Sequence, residues 1–368
     1  IEQIKNAGNL PFAFHHTVLC PDAHQGYGVP IGGIIACDKV VIPNAVGVDI
    51  GCGMCAIKTS LTKIDTETLK KIMGEMRNAI PVGFNHHKEM QDFELMPGTN
   101  GESLMDCYPI VYREYDSALK QLGTLGGGNH FIEIQKGNDG YVWIMIHSGS
   151  RNLGYKVAKH YNEVAKKLNE KWFVSTPKQL DLAFLPIETK EGKSYMKEMQ
   201  YCVDFAYANR KLMMDNVTAM FYKNFQDVEF DEMINIAHNY AAWENHFNKN
   251  VIVHRKGTTL ARKGTIGIIP GSQGTKSYIA EGLGNKDSFE SCSHGAGRTM
   301  GRKQACRTLN LKEEIAKLDE QGIVHGIRHQ NDLDEASGAY KDINVVMKNQ
   351  SDLVDILVEL TPLGVIKG

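Results

Sequence analysis

The stretch Leu122–Arg151, LGTLGGGNHFIEIQKGNDGYVWIMIHSGSR, decides the fold class. A glycine cluster runs into the apolar strand-like segment FIEIQ, and YVWIMIH returns as its partner. Asn138, Asp139 and Gly140 supply the turn between them, as expected for an antiparallel hairpin. Toward the N-terminus the same texture recurs in TVLCPDAHQGYGVPIGGIIA (17–36) and KVVIPNAVGVDIGCGMCAIKT (39–59). These are short β-branched runs joined by glycine-permitted loops. Toward the C-terminus it recurs in VIVHRKG (251–257), TIGIIPGSQGTKSYIAEG (265–282) and SCSHGAGRTMGRK (291–303).

Helical spacing intervenes between these glycine-rich segments. Asp65 is placed as an N-cap ahead of Leu69, Ile72, Met73 and Met76, which share one helix face. Helices are predicted from about Leu153 to Trp172 and from about Ser194 to Lys223, the second with Met196, Met199, Val203, Phe205 and Ala206 as core. A last helix from about Leu311 has Asn310 and Glu313 in capping-box positions. The pattern reads as short buried strands and packing helices, and glycine loops recurring in all three thirds of the chain point to one site within a single domain. The record opens at Ile1 without an initiator Met, so a preceding segment is left open.

Composition narrows the class. With 41 Lys plus Arg against 43 Asp plus Glu among 368 residues, a polybasic coat is excluded, and no apolar run of about 18 residues suggests a membrane helix. Eight scattered Cys do not form a secreted disulfide scaffold, and a reducing, cytoplasmic setting is expected. The surplus is in 36 Gly and 14 His. Any basic surface must be local, and Arg151, Arg255, Lys256, Arg262, Lys263, Arg298, Arg302 and Lys303 cluster in sequence around the glycine motifs.

Several residues can carry chemistry. Asp49 and Cys52, three apart in VDIGCGMC, can reach one divalent ion, and a thiolate can bridge two. They can equally be a turn former and a small buried hydrophobe. The Cys52/Cys55 pair does not open a helix, which argues against redox use. His130, His147 and His238 each border an apolar segment. One such His is an ordinary core residue, whereas five N, O and S donors in similar settings favour a metal centre suited to Mn²⁺ or Zn²⁺. On a strand His130 and Glu133 face opposite sides. His294 opens SHGAGR: an imidazole can attack phosphorus, the Arg298 guanidinium can stabilise phosphate charge, and glycines 295 and 297 admit backbone N–H groups. PGSQGTKS (270–277) is a second phosphate-cradle candidate without Walker A spacing.

PDAHQGYGVPIGG, VGVDIGCGM, LGTLGGGNHFIE, WIMIHSGSR, HNY, IPGSQGTKS, SCSHGAGR, AYKDI and the terminal VIKG stand in an order that resembles the RtcB family of RNA ligases, the tRNA-splicing ligases, from about Pro11 to Gly368. The resemblance implies an α+β fold over residues 1–368, one domain with a β-sheet core flanked by helices, and a GTP- and Mn²⁺-dependent enzyme joining an RNA 3′-phosphate or 2′,3′-cyclic phosphate to an RNA 5′-hydroxyl, in RNA repair or tRNA splicing. By the same matching, His294 is the nucleophile that becomes guanylylated. One Mn²⁺ is held by Asp49, Cys52 and His130, the other by Cys52, His147 and His238. The guanylate pocket draws on Asn129, His130, Phe131, Ile132, Glu133, His238, Asn239, Pro270, Gly271, Ser272, Gln273, Ser277, His294, Gly295, Ala296, Gly297, Arg298, Tyr340 and Lys367. Whether a protein partner activates the enzyme is left open. Cys55, Gln273 and Gly301 depart from the family pattern, and 86–109 has no clear counterpart in it. Two other classes are a metal-dependent phosphoesterase that opens cyclic phosphates and a non-catalytic RNA-binding protein.

Overall fold

The computed structural model describes residues 1–368. In chain order the strands are β1 (Ala13–His24), β2 (Ile31–Cys37), β3 (Val40–Val41), β4 (Gly53–Lys58), β5 (Phe131–Gly137), β6 (Val142–Ser148), β7 (Leu185–Pro186), β8 (Ile234–Ala237), β9 (Asn239–His246), β10 (Lys249–Lys256), β11 (Thr258–Leu260), β12 (Ile266–Ile269), β13 (Ser277–Gly282), β14 (Ser291–Ser293) and β15 (Val354–Lys367). The helices are α1 (Glu2–Gly8), α2 (Pro43–Val46), α3 (Thr66–Ala79), α4 (Leu104–Cys107), α5 (Pro109–Gln121), α6 (Arg151–Lys171), α7 (Lys190–Asn224), α8 (Arg302–Thr308), α9 (Leu311–Asp319) and α10 (Ile343–Lys348). The fold is α+β, as the resemblance implies.

The expected hairpin is the centre of the molecule. β5 and β6 pair antiparallel from Phe131 opposite His147 to Lys136 opposite Val142, and Gly137 N–H donates to Tyr141 C=O at 2.8 Å across the turn. They lie inside a seven-stranded antiparallel sheet of order β12-β13-β15-β5-β6-β4-β8. Alternation sorts its side chains by face. Met54, Ala56, Phe131, Trp143, Met145, Ile268, Ile279 and Leu360 pack together on the inner face, joined by Ile234, Ile236 and Ile266 from the two edge strands. Because both edges share this one core, the sheet curls into a nearly closed barrel. The outer face, with Cys55, Ile57, Ile132, Ile134, Ile144 and Ile146, is covered by Leu69, Ile72, Met73 and Met76 of α3 and by Met213, Met214, Val217 and Phe221 of α7. Each such buried side chain contributes roughly 1.5–3 kcal/mol.

A second antiparallel sheet, β1-β2-β10-β9, stands beside the barrel. The start of α7 packs with α5 and α6 through Tyr195, Met199, Cys202, Val203 and Phe205. Helix ends follow the sequence signals with one difference. Asp65 accepts from Thr68 N–H at 3.0 Å, and Asn310 accepts from Lys312 and Glu313 N–H. Glu313, however, receives the Asn310 side-chain amide at 3.1 Å. Unlike Ser or Thr, Asn carries its own amide donor, and this takes the carboxylate that would close a capping box on the backbone. No helix is long and apolar enough to cross a membrane.

Candidate active site

Strand parity brings the expected metal donors to one barrel mouth. Cys52 immediately precedes β4 in the inward series Cys52–Met54–Ala56, His147 ends the series Trp143–Met145–His147 in β6, and His238 follows Ile234–Ile236 of β8. β6, β4 and β8 are neighbours, so the three side chains meet. Cys52 Sγ is 3.3 Å from His147 Nε2 and 3.5 Å from His130 Nε2. His147 Nε2 is 3.4 Å from His238 Nε2, and His130 Nε2 is 3.1 Å from Asp49 Oδ2. The result is two groups of three donors, Cys52/His147/His238 and Asp49/Cys52/His130, sharing one sulfur. Gly149 is required here, because a Cβ on it would lie 2.4 Å from Asp49 Oδ1.

The protons point outward. His130 Nδ1 lies 2.9 Å from Leu125 C=O and His147 Nδ1 lies 3.0 Å from Asn129 C=O, so these nitrogens donate and each Nε2 lone pair faces the sulfur. Burial holds the His147 and His238 imidazoles well below their ordinary range, hence neutral. It pushes the Cys52 thiol up, with Asp49 adding to the effect. Burial also raises the Asp49 carboxyl, but the neighbouring His130, Cys52 and Arg151 together outweigh this and leave it below its usual range. Inward-facing lone pairs with one thiol proton among them cannot satisfy one another. A divalent cation in each group would satisfy them and reverse the thiol's preference.

Arg210 of α7 clamps the mouth from behind. It is fully buried and donates through Nη1 to Gly51 C=O (3.0 Å) and Ser148 C=O (2.9 Å), and through Nε to Asn235 Oδ1 (2.7 Å). One guanidinium thus ties the ends of the three ligand-bearing strands.

His294 directly follows β14, and its ring lies 4.9 Å from that of His238. Its Nδ1 is 2.6 Å from Oδ2 of Asp22, and its backbone N–H donates to the same oxygen at 3.0 Å. Asp22, at the end of β1, is fully buried. The contact keeps the proton on Nδ1 and leaves the Nε2 lone pair free. Gly297 has φ +73°, and a Cβ there would meet Asp22 C=O at 1.9 Å, so only glycine permits this approach.

Both features open onto a cavity of about 390 Å³. Of the expected pocket residues it is lined by Asn129, Phe131, Glu133, His238, Asn239, Pro270, Gly271, Ser272, Gln273, His294, Gly295, Ala296, Gly297, Arg298, Tyr340 and Lys367. Three others lie elsewhere. His130 turns to the metal donors, Ile132 packs outward with α3 and α7, and Ser277 stands behind the wall, its Oγ accepting from Gly271 N–H at 3.1 Å. Burial pushes the Glu133 carboxyl up to about 8, against the pull of Lys367. Gln135 donates to it at 2.7 Å.

Glu335 organises the opposite wall. It accepts from Arg298 Nη1 (2.6 Å), Arg302 Nε (2.5 Å) and the Tyr340 hydroxyl. Arg298 also donates to Met300 and Asp334 C=O and lies 5.0 Å above the Tyr340 ring. The cluster of cations expected in sequence is therefore thinned. Arg298 is fastened to Glu335, Arg255 is fully buried against Glu244, and Arg262 pairs with Glu290. Sequence reasoning missed Asp22, Arg210 and Glu335. Only Asp22 left a trace there, as an acidic residue within an otherwise apolar strand.

A family model described as tRNA-splicing ligase RtcB matches residues 3–368. The RNA-splicing ligase RtcB of Escherichia coli K12 is 38% identical, with 100% of this chain and 93% of the relative covered. The tRNA-splicing ligase RtcB of Thermococcus kodakarensis is 30% identical, with coverages of 100% and 91%. The RNA-splicing ligase RtcB of Mycobacterium tuberculosis is 29% identical over the full length of both chains.

Proposed function

The chain belongs to the RtcB family, and from that premise we propose that it is a GTP- and Mn²⁺-dependent RNA ligase joining 3′-phosphate or 2′,3′-cyclic phosphate ends to 5′-hydroxyl ends. The observation that carries this reading is the His294–Asp22 pair opening onto the same cavity as two donor groups that share Cys52.

His294 Nε2 attacks the α-phosphorus of GTP; the P–N bond forms, the bond to the β-phosphate oxygen breaks, and pyrophosphate leaves. Asp22, holding Nδ1–H, orients the ring and stabilises the charge it acquires. An oxygen of the RNA 3′-phosphate then attacks the same phosphorus, and the P–N electron pair returns to Nε2. Finally the 5′-hydroxyl oxygen attacks the RNA 3′-phosphorus, its proton passes to solvent, and GMP leaves. A cyclic phosphate is first opened by water. Asp49, Cys52 and His130 would hold one Mn²⁺, and Cys52, His147 and His238 the other, supplying neutralisation of phosphate charge. The guanylate is received by Asn129, Phe131, Glu133, Asn239, the 270–273 loop and the Arg298/Tyr340 wall, with Lys367 beside Glu133. Eight unpaired cysteines suit a reducing cytoplasm.

With α-labelled GTP and Mn²⁺ the protein is expected to take up covalent label, and His294→Ala to take up none while melting like the parent. A protein that opens cyclic phosphates but never takes label is a phosphoesterase, and the ligase reading falls. Running the purified chain alone on a panel of cleaved RNAs shows both the preferred end and whether an activating partner is needed.

A further inference from the structure

One arm of the cavity is not used by the guanylate. It is lined by Gln25, Tyr27, Asn44, Val48 and Lys256, from the loop after β1, from α2 and the loop after it, and from the end of β10. Lys256 is 93% buried (7% exposed), and its ammonium donates to Tyr27 C=O at 2.5 Å and Asn44 C=O at 2.8 Å. No carboxylate lies within 4.0 Å of it. Asp181 acts on it only from beyond salt-bridge range, and a buried ammonium with one N–H to spare and no carboxylate in contact is costly unless an anion arrives. Burial accordingly pushes it down to about 8. The arm adjoins the chemistry: a Cβ on Gly257, the next residue, would lie 3.0 Å from His294 Cε1, and Val48 precedes the metal donor Asp49.

The two sides of the cavity differ in openness. On the guanylate side Glu133, Ser272, Gln273 and Glu335 are buried, whereas Tyr27 is 74% exposed and Val48 48% exposed at the rim of the Lys256 arm. A mononucleotide fits a walled side; a polymer needs an open exit, and an exposed aromatic ring there offers a stacking face to a base.

Resting on the ligase reading, we propose that this arm is the subsite for the phosphate-bearing 3′ end of the RNA, with the Lys256 ammonium on the terminal phosphate and Tyr27 stacked on the terminal base. The test separates the half-reactions. The protein is first labelled on α-labelled GTP with Mn²⁺, then chased with an RNA ending in 3′-phosphate, and GMP transfer to RNA is timed. The same RNA ending in 3′-hydroxyl serves as the blank. Lys256→Met is expected to take label as the parent does but transfer it on the order of 10²-fold more slowly, with Lys256→Arg retaining more. Tyr27→Ala is expected to raise the RNA concentration for half-maximal transfer about tenfold, and Tyr27→Phe to restore it. Because Tyr27 is exposed, its variants keep the test valid if Lys256→Met fails to fold.

The proposal is overturned if Lys256→Met loses labelling in step with transfer, since the ammonium then serves the GTP phosphates. It is also overturned if both Lys256→Met and Tyr27→Ala transfer like the parent. If the parent itself takes no label, it is the ligase reading that fails.

Discussion

Two regions of this chain gather three metal-type donors within 4.8 Å: the Cys52 mouth and the group Glu244, His246 and Glu290. Their side chains are of similar chemical kind, yet only one group is short of positive charge. At the second, Arg255 Nη1 and Nη2 bind the two oxygens of Glu244, His246 Nε2 is 2.9 Å from Oε2, and Arg262 pairs with Glu290 at 3.0 Å. Burial would raise the Glu244 carboxyl, but Arg255 outweighs it and holds it below its usual range. The chain has supplied its own cations there. At the mouth, the buried guanidinium of Arg210 donates to Gly51, Ser148 and Asn235 instead. Donor identity and proximity therefore do not single out a candidate metal site; an unmet demand for charge does.

The contrast breaks most visibly at Cys52. Cys52→Ala is expected to remove bound Mn²⁺ from both positions and lower ligation roughly 10³-fold or more, while Glu244→Ala leaves the metal content unchanged. Equal metal loss in the two variants, measured by elemental analysis after gel filtration, would erase the distinction. Asp22→Asn asks whether a buried carboxylate without a guanidinium serves the chemistry. Guanylylation is expected to fall about 10²–10⁴-fold with metal content and melting temperature close to the parent's. Glu244→Ala itself strands a buried Arg255 and is expected to cost about 3–5 kcal/mol in denaturant unfolding, a loss that chelator neither deepens nor relieves.

The smallest effect concerns a histidine belonging to neither cluster. His254 of β10 accepts from Ile42 N–H at 2.9 Å and lies 3.1 Å from Ile35 C=O through Nδ1, and burial holds its pKa down to about 4. The unfolded chain takes up the proton near 6.5 while the folded chain refuses it, so this stability is present above that pH and is lost as pH falls toward 4. His254→Gln is expected to flatten the melting temperature across that window by an amount worth about 2 kcal/mol, with or without Mn²⁺.

Much of the mouth was legible in sequence because its donors lie at the ends of apolar runs, and a strand end is where a polar side chain can face a barrel interior without breaking the core. Cys52, His147 and His238 occupy such positions, and each run shows its parity in the two or three residues beside them. Helix α3 was legible for the same local reason, through Asp65 and its four-residue face. What stayed hidden depends on partners far apart in the chain. Asp22 finds His294 across 272 positions and Arg210 reaches Gly51 across 159, and no periodicity encodes either. The apparent cluster of cations misled because Arg255, Arg262 and Arg298 show their charge in sequence, whereas Glu244, Glu290 and Glu335 are identified as their partners only in space.

β15 joins the two halves of the large sheet, pairing with β13 on one side and β5 on the other, and it ends at Lys367 in the cavity wall. Every candidate donor of the Cys52 mouth is translated by residue 238, long before this strand. During synthesis the central hairpin therefore waits more than two hundred residues for its neighbour, a long-range closure of the kind that slows folding. A chain cut short before β15 keeps its metal donors in sequence but has a split sheet and no Lys367 in the wall.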